Sequence, residues 1–181
     1  MNPLSPPAPG AGPTTADAPL VVGAPPWARV YQVAVVVPDL AQAAAYYESL
    51  GIGPFREGPS AHTTKRLIRG VESPDTVVKG LIAPLGAIEL ELFEPVAGPS
   101  IQREFLERRG PGPIHLCAFT DDIDRDIAWM AERGTPVISY GELSDGGRFA
   151  YFDTIAIGGL VLELYQLGPD GEIIPTTGEN Q

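Results

Sequence analysis

Apolar and polar positions fall into a pattern that occurs twice along the chain. Tyr31–Gly51 (YQVAVVVPDLAQAAAYYESLG) and Ile114–Gly134 (IHLCAFTDDIDRDIAWMAERG) align without a gap at an offset of 83 residues. Each opens on a run of strand formers, Val33–Val37 or Leu116–Phe119, whose side chains suit a pleated, half-buried surface. Each then meets an aspartate, Asp39 or Asp122, a residue type that accepts the free N–H groups of a helix start. Gln42 stands three residues beyond Asp39, at capping-box spacing. Helical spacing follows: Leu40, Ala43, Ala44 and Tyr47 in the first copy, Ile123, Ile127 and Met130 in the second. Both copies end at a glycine, Gly51 or Gly134, the residue that most easily takes a left-handed helix stop.

A second correspondence lies downstream. Ala87–Glu94 (AIELELFE) matches Gly159–Gln166 (GLVLELYQ) at an offset of 72, both strand-like around Leu-Glu-Leu. Between helix and closing strand, further strands are predicted at Thr64–Ile68 and Thr76–Ala83 in the first half. In the second they fall at Pro136–Tyr140 and Arg148–Asp153. Ser100–Arg109 reads as a connecting helix. The expected organisation is a first βαβββ module at 27–98, a connection at 99–111 and a second module at 112–167. Residues 1–26 and 168–181 are expected to be flexible tails, because Pro, Ala and Gly there bury too little surface to offset ordering entropy. The fold class predicted is α+β: tandem βαβββ modules forming a curved mixed sheet around a groove, with a pseudo-two-fold axis.

The repeat also aligns polar residues inside apolar strands, where an unpaired polar group is costly. Gln32 matches His115 in the opening strands, and Glu91 matches Glu163 in the closing strands. Taken singly, a strand histidine is commonly a hydrogen-bonded core residue, and a glutamate within Leu-Glu-Leu commonly faces water. Glu89 and Glu91 share a face by alternation, but Glu91 has an acidic counterpart whereas Glu89 matches Val161. Four coincidences under two offsets favour one shared site. An amide oxygen, two carboxylates and an imidazole suit one divalent metal ion such as Zn, Ni, Co, Mn or Fe. The ion would offset the repulsion that otherwise raises one carboxylate's pKa.

Charge and composition narrow the partners. The formal net charge of −11, with no Lys/Arg cluster, argues against nucleic acid and anionic membranes. A small-molecule substrate is expected instead. Cys117 is the single cysteine, which rules out an intramolecular disulfide and fits a reducing compartment. No apolar run approaches the roughly 20 residues of a membrane helix, and the N-terminus lacks the layout of a secretory signal. A cytoplasmic location is expected.

The segments VYQVAVVVPDL, IELELFEP, GPIHLCAFTDDID and GRFAYFDT…GGLVLEL resemble the vicinal oxygen chelate (glyoxalase, bleomycin resistance, dioxygenase) superfamily, particularly its methylmalonyl-CoA epimerase-like and glyoxalase I-like members. The resemblance runs from Val30 to about Gln166. It implies that Gln32, Glu91, His115 and Glu163 are the metal ligands, the set the repeat picks out. The epimerase branch places His where this chain has Gln32; the eukaryotic zinc type of glyoxalase I places Gln, Glu, His and Glu in this order. The resemblance further implies a homodimer and a divalent-metal-dependent isomerase, epimerase or lyase that stabilises an enediolate-type intermediate of a small oxygen-bearing substrate. Glu163 would be the general base and Glu91 the second catalytic carboxylate. Two other classes stay open: a metal-free protein that sequesters a small molecule, and a ring-cleaving dioxygenase, whose two-His, one-carboxylate site Gln32 disfavours. Glu57, Glu72, Glu142, His62 and Arg148 are secondary candidates with surface roles as their plainer reading. Trp27, Tyr46, Tyr47 and Trp129 read as core, and Cys117 as a buried small side chain.

Overall fold

The computed structural model describes residues 26–58 and 62–169; the predicted tails lie outside them, apart from Pro26, Gly168 and Pro169. After a 3-10 turn at Pro26–Arg29, the order is β1 (Val30–Val36), α1 (Leu40–Ser49), β2 (Arg56–Glu57), β3 (Thr63–Ile68), β4 (Val71–Glu72), β5 (Val77–Leu85), β6 (Ile88–Ala97) and α2 (Ile101–Arg109). The second half follows as β7 (Gly112–Phe119), α3 (Ile123–Ala131), β8 (Val137–Leu143), β9 (Arg148–Phe152), α4 (Ile155–Gly158) and β10 (Val161–Gln166). The fold is α+β, as expected.

Local signals end the helices where the pattern places them. The Asp39 and Asp122 carboxylates accept from the Gln42 and Arg125 amides, and Ser100 caps α2 through the Arg103 amide. Gly51 and Gly134 adopt φ of 85° and 72°, open to glycine at little cost. The two halves share a further detail. Leu40 N–H donates to Glu94 and Ile123 N–H to Gln166, both at 2.9 Å. Each closing strand thus holds the first turn of its own half's helix.

The ten strands among the described residues form one mixed sheet, ordered β2-β5-β6-β1-β7-β10-β9-β8-β3-β4. One strand departs from expectation. The stretch predicted at Thr64–Ile68 as part of the first half pairs with β8 of the second, Arg66 opposite Gly141. The reason is that β2 takes the free edge of β5, with Arg56 opposite Ile82. Only residues 58–62 link β2 to β3. Six Cα steps reach at most about 20 Å, whereas eight strand spacings of a flat sheet would need about 38 Å. The sheet must therefore curl, and it forms a half-barrel.

Neighbouring residues in register share a face, which defines the concave side. Three apolar clusters carry the packing. Val36, Ile114, Phe149 and Val161 form one with α2, Ile123, Phe152 and Leu164 a second under α3, and Leu90, Leu92 and Leu40 a third under α1. Tyr46, read as core, is instead 62% exposed; Ala44 and Leu40 take the buried face of α1.

Candidate active site

Strand register assembles the four repeat-matched residues. β1 and β7 run antiparallel at the sheet centre, with Gln32 opposite Cys117 and Ala34 opposite His115. Glu91 on β6 lies beside Ala34, and Glu163 on β10 beside Cys117. Gln32 and His115 are therefore diagonal neighbours, each with a carboxylate strand on its outer side. Both sequence offsets are realised as one two-fold relation in space.

The second half holds its part tightly. His115 is completely buried, and Glu163 is 5% exposed. The Nε2 atom of His115 lies 2.9 Å from Glu163 Oε2 and 3.8 Å from Glu91 Oε2. Neither ring nitrogen makes a hydrogen bond of normal geometry, so the 2.9 Å approach of Nε2 to Glu163 is a close contact only. An imidazole nitrogen buried this deeply with no partner carries a desolvation cost. Burial drives the pKa of Glu91 well above the usual carboxylate range, with Glu163 and Glu89 adding repulsion.

Among the described residues no three His, Cys, Asp or Glu side chains stand as a finished metal cage. What fits a divalent ion is the donor set: two carboxylates, an orphaned imidazole nitrogen and an amide on one face. Hard oxygen donors together with one nitrogen suit several first-row ions without selecting one.

Three further groups sit in this site beyond the repeat-matched four. Glu89, 8% exposed, accepts from Gln32 Nε2 at 3.4 Å and meets Arg56 Nη2 at 3.5 Å. Burial raises its pKa, opposed by Arg56 and the Gln32 amide. Alternation had placed Glu89 on the face of Glu91, so its presence was legible although its role was not. Tyr31 reaches the site because the β1–β7 register slips between Val30 and Gln32; such a bulge re-aims a side chain. Its ring stacks on Phe119 at 3.8 Å, and its hydroxyl accepts from Cys117 Sγ at 3.6 Å. Tyr151, opposite Glu163, packs its ring 5.2 Å from His115. Burial foremost, then the nearby acids and Cys117, keeps both phenols protonated, so they can donate. Burial likewise pushes the Cys117 thiol well up, which makes it a poor nucleophile.

The secondary candidates lie elsewhere. Arg148 is tied to Asp124 at 2.8 Å and to Gln166. Glu142 pairs with Lys65 at 3.2 Å, while Glu57, Glu72 and His62 are exposed.

A profile of the glyoxalase/bleomycin resistance protein/dioxygenase superfamily matches residues 31–152. That is well over half of the chain, and the protein belongs to this superfamily. Among solved structures it is similar to methylmalonyl-CoA epimerase from Mycobacterium tuberculosis, with 21% identity and a TM-score of 0.56 over 78% of this chain and 89% of that one. It is similar to a hypothetical protein from Bacillus halodurans C-125 at 20% identity, TM-score 0.57, over 80% and 98%. A variant of Streptomyces coelicolor methylmalonyl-CoA epimerase in complex with 2-nitronate-propionyl-CoA gives 19%, 0.55, 81% and 98%. At these identities the likeness is one of fold. No curated protein matches the chain. No helix among the described residues is long and apolar enough to cross a membrane.

Proposed function

We propose that the protein is a divalent-metal-dependent isomerase, epimerase or lyase of glyoxalase type. Its substrate is a small acid, thioester or α-hydroxycarbonyl that passes through an enediolate-type anion. Gln32, Glu91, His115 and Glu163 would hold the ion. The observation that carries this reading is the orphaned Nε2 of His115, buried between the carboxylates of Glu163 and Glu91. Bound there, a divalent ion would supply positive charge that stabilises developing oxyanion charge on the substrate.

The chain's own residues supply the rest. Glu163, fixed between Cys117 and Tyr151 in register, takes a proton from the substrate carbon. Carrying that proton, Glu163 returns it to the same or the neighbouring carbon, and Glu91, across β1 and β7, is the second catalytic carboxylate. The protonated phenols of Tyr31 and Tyr151 donate toward developing oxyanion charge. Glu89 orients Gln32 by accepting from its amide, which leaves the carbonyl oxygen free for the ion. A ring-cleaving dioxygenase would require a second imidazole; His62, the other histidine, is exposed. The reading includes a homodimer in the cytoplasm, which sedimentation of the purified chain tests for assembly state.

Two measurements test the proposal. Protein purified without chelators is expected to carry about one divalent ion per chain. It is also expected to exchange the α-hydrogen of a 2-substituted acyl thioester or α-hydroxycarbonyl with solvent deuterium, and Glu163→Gln is expected to fold but lose that exchange. Absence of stoichiometric metal and of metal-dependent stabilisation would overturn the proposal in favour of a sequestering protein.

A further inference from the structure

Arg66 occupies an unusual position for an arginine in this chain. It lies on β3 opposite Gly141, and Gly141 lies opposite Phe149. Register therefore turns the guanidinium toward the same concave face as Tyr151 and Glu163. Gly141 has no side chain, and the Phe149 ring fills the space a Cβ would occupy. The guanidinium sits 5.2 Å from the centroid of that ring. The stack orients a planar fork whose five N–H donors match an oxyanion in bidentate fashion.

Those donors are largely uncommitted. Arg66 Nη2 donates to Thr63 Oγ1 at 3.0 Å. No carboxylate lies within ion-pair distance of it among the described residues. The other half-buried arginines are all engaged: Arg29 with Asp121, Arg148 with Asp124, and Arg103 with the Gly98 and Pro95 carbonyls. Burial pulls the Arg66 pKa down, while Tyr151 and Glu163 hold it up. The residue stays charged, and a half-buried charge without a counter-ion is costly.

A pocket of about 190 Å³ opens beside it, lined by Arg66, Lys65, Glu72 and four hydroxyl residues, of which Thr64, Ser73 and Thr76 donate to backbone carbonyls and Thr63 does not. The Glu72 carboxylate in this lining is exposed to solvent, and Lys65 is paired with Glu142. The volume is below the roughly 300–1,000 Å³ of a whole-ligand site, and suits one polar end of a longer molecule.

We propose that Arg66, with the Thr63 hydroxyl beside it, binds an oxyanion group of the substrate, a carboxylate or a phosphate. The substrate is then an organic acid or phosphate ester anchored on the β3 side while its oxygens face the acid cluster. This rests on the reading above for what happens at that cluster, but anion capture itself needs no metal.

The test is calorimetric titration of metal-free protein with inorganic phosphate and, separately, with malonate. The wild type is expected to bind at least one of them, and which one separates a phosphate from a carboxylate source. Arg66→Met is expected to weaken that binding by about tenfold or more, and Arg66→Lys to recover it only in part. Equal affinity in wild type and Arg66→Met, or no binding of either anion, overturns the proposal. If Arg66→Met does not fold, the side-chain Nε–Hε resonance of Arg66 in the wild type decides instead. It is expected to shift with added anion, and an unmoved resonance counts against the site. Failure of metal uptake leaves these results untouched, so the two readings fail separately.

Discussion

The two halves of the sheet repeat one backbone arrangement but line the groove with different chemistry. Ala34 stands to Glu91 as Cys117 stands to Glu163, and Gln32 to Glu89 as His115 to Val161. In the second half the neighbours are apolar or aromatic: Val161 at 2% exposure, Tyr151 at 4% and His115 at 0%. In the first half the corresponding wall holds two acids and an amide, with Arg56 reaching in from the sheet edge. The same register therefore makes one half apolar and aromatic around its donors and the other charged. A duplicated scaffold specifies positions; the side chains at those positions decide the chemistry of each half.

The most disruptive way to break that difference is to write the first half's acid into the second. Val161→Glu places a carboxylate beside His115 with no counterpart of Arg56, and is expected to cost about 3–5 kcal/mol in urea unfolding. The reverse change, Glu89→Val, removes a buried acid. It is expected to leave stability unchanged or improved, while metal affinity falls by about 10–100-fold because Gln32 loses its orienting partner. If metal affinity is unaffected, Glu89 has no such role.

The charged half also sets a dependence on pH. Because Glu91 has a folded pKa above its unfolded value, its contribution is fully present below the usual carboxylate range. It is lost as pH rises through the raised value. The metal-free protein is thus expected to melt at lower temperature as pH rises from 5 toward 8. Added divalent metal should remove or reverse that slope, since binding competes with the proton. A flat metal-free profile would show that Glu91 is not held in its protonated form. Smallest of all, Asp39→Ala and Asp122→Ala remove equivalent caps and are expected to cost about 1 kcal/mol each. A marked inequality between them would show that the halves differ in helix docking as well as in groove chemistry.

Much of this arrangement was readable in one dimension because it is local or repeated. Asp39, Asp122, Gly51 and Gly134 act within a turn of where they stand, and period-two alternation tells which residues of a strand share a face. The two offsets then select positions that strand pairing brings together. What could not be read depends on contacts between distant segments. β3 finds β8 because a two-residue strand has already taken the edge of β5, and nothing in TTKRLI encodes that partner. Tyr31 enters the site through a register slip, and Tyr46 leaves the core because α1 turns Ala44 and Leu40 inward. Glu89 shows the same limit, since alternation places it on the right face but says nothing of Gln32 and Arg56 around it. Arg66 is invisible for a related reason: its surroundings, Gly141 and Phe149, belong to the other half.

The central claim is that one ion is held by residues from both halves, and X-ray absorption of the cobalt- or zinc-loaded protein tests it most directly. The expected result is about one ion per chain, with a single imidazole nitrogen and otherwise oxygen donors near 2.0–2.2 Å, and the imidazole signal lost in His115→Ala. Sulfur ligation, two or more imidazoles, or failure to take up metal would contradict it.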